Sequence, residues 1–292
     1  MKENPSIGII GPGKLGSVLA AEIRAAGYPL TGVNASAPES TEAKARILST
    51  SPLSKKELAE LSQVIILSVP DDSIHEIAVE IAGMALSSKD KFIAHTSGAH
   101  SIRELLPVKE KGYNVFTFHP LQSFADSKAT FKGCFIALEG DEEAMPLAEE
   151  MADSLGAFHH RLTPEQKVLY HAAAALACGG LVALESEALK LFEAAGLPPD
   201  EGLKALLPIL HGTLNNLARL GPGSALTGPF ARGDSGTISA HIDTMKKARP
   251  GILPLYYHLG RVSLELADHP EELEARIRSV LEYADKNILP GL

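Results

Sequence analysis

Residues 11–16 read Gly11-Pro12-Gly13-Lys14-Leu15-Gly16 and follow the short apolar run 7–10. A glycine-x-glycine-x-x-glycine turn between a buried strand and a helix constrains the fold more than composition does. Its first glycine makes a tight turn, and its second leaves bare backbone beside a pyrophosphate. Its third lets the helix close on the strand, with the first helical amides facing the anion. Such an element belongs to an open parallel sheet, so the rest of the chain must supply further strands and crossover helices. A glycine turn serving structure alone is the competing interpretation.

The chain supplies those elements. Residues 15–26 read as a helix closed by Gly27, and 30–33 as a second strand. Residues 42–48 and 54–62 read as helices, 64–69 as a third strand stopped by Pro70, and 73–84 as a helix. Strands follow at 92–95, 115–118 and 135–138, with a helix over about 142–155. The strands are apolar throughout rather than alternating, which marks a parallel sheet covered on both faces.

The pattern changes at Thr163-Pro164-Glu165-Gln166, where a Thr cap, a first-turn Pro and a Gln at the capping-box position open a helix. The helix is expected to run to about Ala195, with Gly179-Gly180 marking a kink or a close helix contact. Further helices are expected over about 200–220, 237–247, 252–266 and 270–283. The expected architecture is an α/β Rossmann-type parallel sheet domain over 1–162, which binds a dinucleotide. An all-α helical domain over 163–292 follows, for substrate and dimerisation.

Composition removes several function classes. The net charge of −9 repels polyanions, and 5% aromatic residues without Trp give no stacking surface, so nucleic acid is not an expected partner. Cys134 and Cys178 form neither a metal-ligand spacing nor a disulfide framework, and the histidines, His159-His160 included, form no metal set. No apolar run reaches the roughly 18–20 residues of a membrane span, the longest being 172–184, and no signal-type segment opens the chain. A cytoplasmic protein without a membrane partner is expected.

The second strand ends in Val33-Asn34-Ala35-Ser36, with no acid to accept from a ribose 2′-hydroxyl. Asn34 and Ser36 can donate to a 2′-phosphate, and Lys44 and Arg46 follow, so NADP is favoured over NAD. The same two residues also suit a plain turn. Two later strand ends, Ser68-Val69-Pro70-Asp71-Asp72 and His95-Thr96-Ser97-Gly98, should face the same crevice. Val69, Pro70, Ser97 and Gly98 are therefore candidate cofactor neighbours, with caps and turns as the alternative.

Three further segments occur together and in order: Phe118-His119-Pro120-Leu121-Gln122-Ser123-Phe124, Tyr170-His171-Ala172-Ala173-Ala174, and Leu226-Thr227-Gly228-Pro229-Phe230-Ala231-Arg232-Gly233-Asp234. With the glycine loop they resemble the Rossmann-like family whose C-terminal part is domain of unknown function 2520. More distantly the chain resembles the superfamily of 6-phosphogluconate dehydrogenase, 3-hydroxyacid dehydrogenases, ketopantoate reductase and pyrroline-5-carboxylate reductase. The resemblance implies a dinucleotide site, a substrate cleft between domains and a homodimer through the helical domain.

In that superfamily the first helix of the second domain often carries a catalytic Lys with an Asn four residues on. Here the spacing holds Lys167 and His171, which share one helix face. Both are candidate acid–base residues expected to face the cleft. A solvated lysine and a packed histidine are the alternatives. His119 is a third catalytic candidate, beside Gln122 as a substrate contact. Arg232 is expected to clamp a substrate carboxylate or phosphate, or else to pair with Asp234, itself a candidate cap for the next helix. The expectation is an NADP-dependent oxidoreductase of a small polar molecule, with a non-catalytic dinucleotide sensor as the alternative.

Overall fold

A computed structural model describes residues 4–84, 86–88, 90–124 and 129–286. Among these residues seven strands form one sheet: β1 (Ile7–Ile10), β2 (Leu30–Asn34), β3 (Val64–Leu67), β4 (Phe92–His95), β5 (Asn114–Leu121), β6 (Phe135–Gly140) and β7 (Phe158–Arg161). Their order is β2-β1-β3-β4-β5-β6-β7. The first five pair in parallel, and β1 and β3 are buried at every residue. From β1 the chain goes to β2 on one side and returns to β3 on the other. This reversal opens a crevice at the carboxyl ends of β1 and β3.

Among the described residues six α-helices cover this sheet: α1 (Lys14–Ala25), α2 (Pro38–Leu48), α3 (Lys55–Leu61), α4 (Ile74–Ala82), α5 (Leu106–Lys109) and α6 (Met145–Ser154). One apolar cluster joins Leu19 and Ile23 of α1 to Ile9, Phe116, Phe118 and Ile136 of the sheet. A second joins Leu58, Ile74 and Ile81 to Ile65, Ile93 and Val115. Successive side chains of one strand thus feed opposite clusters, as a sheet buried on both faces requires.

Three features depart from the expected elements. β6 runs antiparallel to β5, and α6 then carries the chain over to β7, parallel to β6. β7 has no apolar pattern because it closes the sheet edge, and three of its four residues are exposed. α2 starts earlier than expected, with Pro38 in its first turn, where a missing N–H is harmless.

By backbone contacts the chain divides into two compact units, Met1–Ala177 and Cys178–Leu292. The helix α7 (Pro164–Ala194) begins in the first unit. Gln166 N donates to Thr163 Oγ1 (3.3 Å) and Thr163 N to Gln166 Oε1 (2.8 Å), the reciprocal cap expected from the sequence. Gly179 makes neither a kink nor a close contact: α7 runs as one helix, and a Cβ at Gly179 would meet nothing within 4 Å. Among the described residues α7 is also the one helix long and apolar enough to cross a membrane, with a mean hydropathy of 1.6 over its most apolar window. That corrects the expectation that no segment qualifies. The expectation rested on the uncharged run alone, whereas the longer window admits one or two charges.

The second unit contains α8 (Pro199–Ala225), broken at Gly221 where φ is +74°, then α9 (Gly228–Arg232), α10 (Ser235–Ala248), α11 (Leu253–Leu266) and α12 (Glu271–Lys286). Its core gathers Ile238, Ile242, Leu253, Tyr257, Leu264 and Ile277. The short α9 is absent from the sequence expectations. The sheet domain followed by a helical domain is the fold class they gave.

Candidate functional site

The three glycines of the loop are glycine for different reasons. Gly11 has φ +86°, and a Cβ there would sit 2.4 Å from the Ser68 carbonyl oxygen. A Cβ on Gly16 would sit 2.5 Å from the Gly11 carbonyl oxygen. Packing between β1, β3 and α1 therefore dictates these two positions. Gly13 has an extended backbone open to any residue, and a Cβ there would meet nothing within 4 Å. It stands at the N-cap of α1, where no side chain caps the first amides. Bare backbone, uncapped amides and the positive end of a helix together suit an anion from outside the chain. The residues present thus fit a dinucleotide pyrophosphate.

Gly11, Pro12 and Gly13 share a cavity of about 530 Å³ with Asn34, Ser36, Lys44, Val69 and Pro70. Asn34 is partly committed: its Nδ2 donates to the Leu53 carbonyl at 2.8 Å, tying the end of β2 to the following loop. Lys44 lies 3.5 Å from Ser17 Oγ and supplies a cation to the cavity wall, which Arg46 does not line.

Lys14 and Leu15 line a second cavity of about 360 Å³ together with Ser97, Gly98, His119, Gln122 and His171. All of these side chains belong to the first unit. Behind the cavity, buried His95 fixes the turn after β4. Its Nδ1 accepts from Ser97 N at 3.2 Å, and its Nε2 lies 3.1 Å from the Ser101 carbonyl oxygen. An amide can only donate and a carbonyl only accept, so His95 carries its proton on Nε2. Burial, with Lys167 nearby, pushes its pKa down to about 3, and the ring stays neutral. Ser97 Oγ accepts from Ala99 N (3.2 Å) and His100 N (3.0 Å), so Ser97 holds its own turn while facing the cavity.

Gly98 explains how two distant segments meet. A Cβ there would lie 2.6 Å from both His119 Nε2 and His171 Cδ2. The two imidazoles, one from β5 and one from α7, close over this bare backbone with ring centroids 6.0 Å apart. His119 Nδ1 also lies 3.1 Å from Tyr170 Oη. Burial first, then Lys167 and His171, pushes the His119 pKa down to about 4.

Lys167 is not a solvated first-turn lysine, nor does it line the cavity. It is 1% exposed, with Nζ 3.6 Å from Oε2 of Glu139, itself 5% exposed. That distance is an ion pair just beyond hydrogen-bond reach, and among the described residues neither atom has a hydrogen-bond partner. Burial pushes Lys167 down to about 8 against the pull of Glu139 and Asp71, and burial raises the Glu139 carboxyl against the pull of Lys167. Desolvation thus outweighs pairing on both sides. Glu139 has no counterpart among the sequence candidates. The one available signal was a lone acid in the apolar run Phe135-Ile136-Ala137-Leu138-Glu139.

Gln122 is exposed at the cavity, and its Oε1 accepts from Ser123 N at 2.9 Å. Arg232 stands exposed at the end of α9 in the second unit. Asp234 caps α10, accepting from Thr237 N at 3.0 Å, as one of its two expected roles required. Among the described residues no group of three or more His, Cys, Asp or Glu could hold a metal ion.

Residues 2–120 match the model of a Rossmann-like domain, and residues 134–262 that of a domain of unknown function, DUF2520. A Thermotoga maritima protein of known structure is 22% identical with a TM-score of 0.73, over 90% of this chain and 98% of its own. A Bacteroides fragilis protein described as a candidate NADP oxidoreductase is 24% identical with a TM-score of 0.71, over 90% and 99%. The pyrroline carboxylate reductase of Plasmodium falciparum, solved with NADP bound, is 14% identical with a TM-score of 0.57, over 99% of each chain. No curated protein matches the chain. At these identities the likeness is one of fold.

Proposed function

Because the chain belongs to the family that joins a Rossmann-like domain to DUF2520, we propose that it is an NADP-dependent reductase or dehydrogenase of a small polar substrate. The observation that carries this is Gly13, whose empty face at an uncapped helix start answers no need of the protein itself. The loop Gly11–Gly16 holds the pyrophosphate, with Val69 and Pro70 on its other wall. Ser36, Lys44 and the remaining Asn34 amide proton hold the 2′-phosphate. Ser97 and Gly98 border the nicotinamide, which supplies or takes the hydride when bound. His171 moves the proton at the reacting heteroatom, His119 bonds to that atom, and Gln122 binds the rest of the substrate. Lys167 acts from behind, its charge disfavouring a second proton on His119. Two imidazoles converging on one cavity favour an enzyme over a dinucleotide sensor, which has no use for them.

NADPH should bind more tightly than NADH. Lys44→Ala should weaken NADPH by about tenfold or more, the scale of one charge-assisted hydrogen bond, and leave NADH within twofold. Fluorescence titration with both nucleotides tests this. Binding of neither removes the reading, and a preference for NADH removes its NADP half.

The protein is further proposed to be a cytoplasmic homodimer through its helical unit. Leu176 and Val182 of α7 and Ile209 of α8 are 76%, 71% and 65% exposed, more apolar surface than a lone domain leaves uncovered. The largely exposed stretch 172–184 of α7 carries small and apolar side chains and no charge. A second copy supplies the same small and apolar side chains to cover it. Light scattering at micromolar concentration should return twice the chain mass; a monomer would remove the proposal.

A further inference from the structure

His119 is held at one end of its ring and, among the described residues, makes no hydrogen bond at the other. Nδ1 lies 3.1 Å from Tyr170 Oη, and Nε2 faces the bare backbone of Gly98, in the cavity wall that His171 shares. The Tyr170–His119 bond can be written two ways. If the ring donates from Nδ1, the phenol proton needs another acceptor, and among the described residues Tyr170 has no other hydrogen-bond partner. If the phenol donates, its proton is used and Nδ1 is the acceptor. The second arrangement satisfies both groups of that bond and leaves only Nε2–H without a partner among the described residues, at the cavity wall. Burial raises the Tyr170 phenol well above its ordinary range, so it keeps the proton it donates. Its ring is steadied against Phe135 (centroids 5.8 Å) and meets His119 edge to face (5.6 Å). His95, behind the cavity, carries the same tautomer for an independent reason, its bonds to Ser97 N and the Ser101 carbonyl.

We infer that Tyr170 is a positioning residue that fixes His119 as the Nε2–H tautomer, and that this N–H is the donor to the carbonyl oxygen of a ketone or aldehyde substrate. The tautomer stands on the geometry alone; the substrate class rests on the reductase reading. In a reduction the carbonyl carbon gains a hydride, with its two electrons, from the reduced nicotinamide. The C=O π pair moves onto oxygen, where Nε2–H stabilises it before and as charge develops. An imidazolium at His171 gives oxygen its proton, and solvent restores that proton afterwards. The products are an alcohol and oxidised nicotinamide. A protonated imine presents N–H at the same point and has no lone pair for Nε2–H, so donor would face donor.

The test is nitrogen NMR of the full-length protein with ¹⁵N-labelled histidine, at neutral pH and without ligands. His119 is assigned by the signal lost in His119→Gln. It should show the Nε2–H tautomer, as His95 does, and Tyr170→Phe should move it to a mixture with Nδ1–H while His95 is unmoved. A dominant Nδ1–H form or an imidazolium in the wild type would overturn the tautomer. So would a spectrum indifferent to Tyr170→Phe. If that variant does not fold, the wild-type tautomer decides alone. A panel of small ketones, aldehydes and cyclic imines with NADPH tests the substrate class. Carbonyl turnover supports it, and turnover of imines instead overturns it. No turnover of either class would overturn the reductase reading and the carbonyl assignment with it, while the tautomer result stands.

Discussion

Gly13→Asp should bind NADPH at least about 100-fold more weakly than the wild type, a loss of roughly 2.7 kcal/mol, and should unfold at the wild-type temperature. The two halves of this expectation come from the same fact. A Cβ at Gly13 meets no atom within 4 Å, and its backbone, at φ −69°, is open to any residue. The protein therefore has no packing reason to reject a side chain. An aspartate there is even favoured locally, as an N-cap facing the free amides of α1. It satisfies the donors that a pyrophosphate would use, fills the space beside them and adds a like charge. Gly16→Ala provides the contrast, because its Cβ would lie 2.5 Å from the Gly11 carbonyl oxygen and lower stability as well. Fluorescence titration and thermal unfolding of both variants separate the cases. Wild-type nucleotide affinity in a folded Gly13→Asp would remove the dinucleotide site. Unfolding of Gly13→Asp would mean that Gly13 answers to packing after all.

What the sequence made legible was whatever is local. The glycine loop, the strand before it and the helix after it are written in nineteen consecutive residues, 7–25, and the Thr163–Gln166 cap in four. The convergence at Gly98 is not local. Gly98 looked like a bare surface for a flat ring, yet its missing side chain is what lets His119 and His171 approach, and they lie 21 and 73 residues further on. Lys167 and His171 were recognisable as one helix face, but spacing says nothing about depth. Lys167 turned out buried against Glu139, and His171 lies on the cavity wall. Glu139 was passed over because a strand's apolar pattern ends where its functional residue begins. The antiparallel β5–β6 pair was hidden for a related reason: an apolar run buried on both faces suggests a parallel neighbour, but the direction of a single strand is set by its connection. The exposure of α7 was equally hidden, since an Ala- and Leu-rich helix looks the same whether its own core or another molecule covers it.

His171→Ala should lower kcat by about 10²- to 10⁴-fold, the range for loss of a positioned acid–base group, while NADPH affinity stays within twofold. The separation follows from where the ring lies. His171 Cδ2 rests against Gly98, beside His119 and Ser97, and it takes no part in the cavity that Gly11, Asn34 and Lys44 share. Removing the imidazole therefore leaves the pyrophosphate and 2′-phosphate contacts intact. It also leaves the turn after β4 intact, because His95 and Ser97 hold that turn through their own bonds. What it removes is a proton at the reacting atom. Loss of an interaction made only in the transition state lowers kcat and kcat/KM together, whereas loss of a ground-state contact raises KM with kcat unchanged. The measurement is steady-state kinetics, with the substrate found by following reduced-nicotinamide absorbance, alongside a nucleotide titration of the same variant. An unchanged kcat would exclude His171 from the chemistry. A parallel loss of NADPH affinity would make it a cofactor contact instead, and the proton would then have to come through a residue other than His119, whose cavity-facing nitrogen is a standing donor with burial holding the ring neutral.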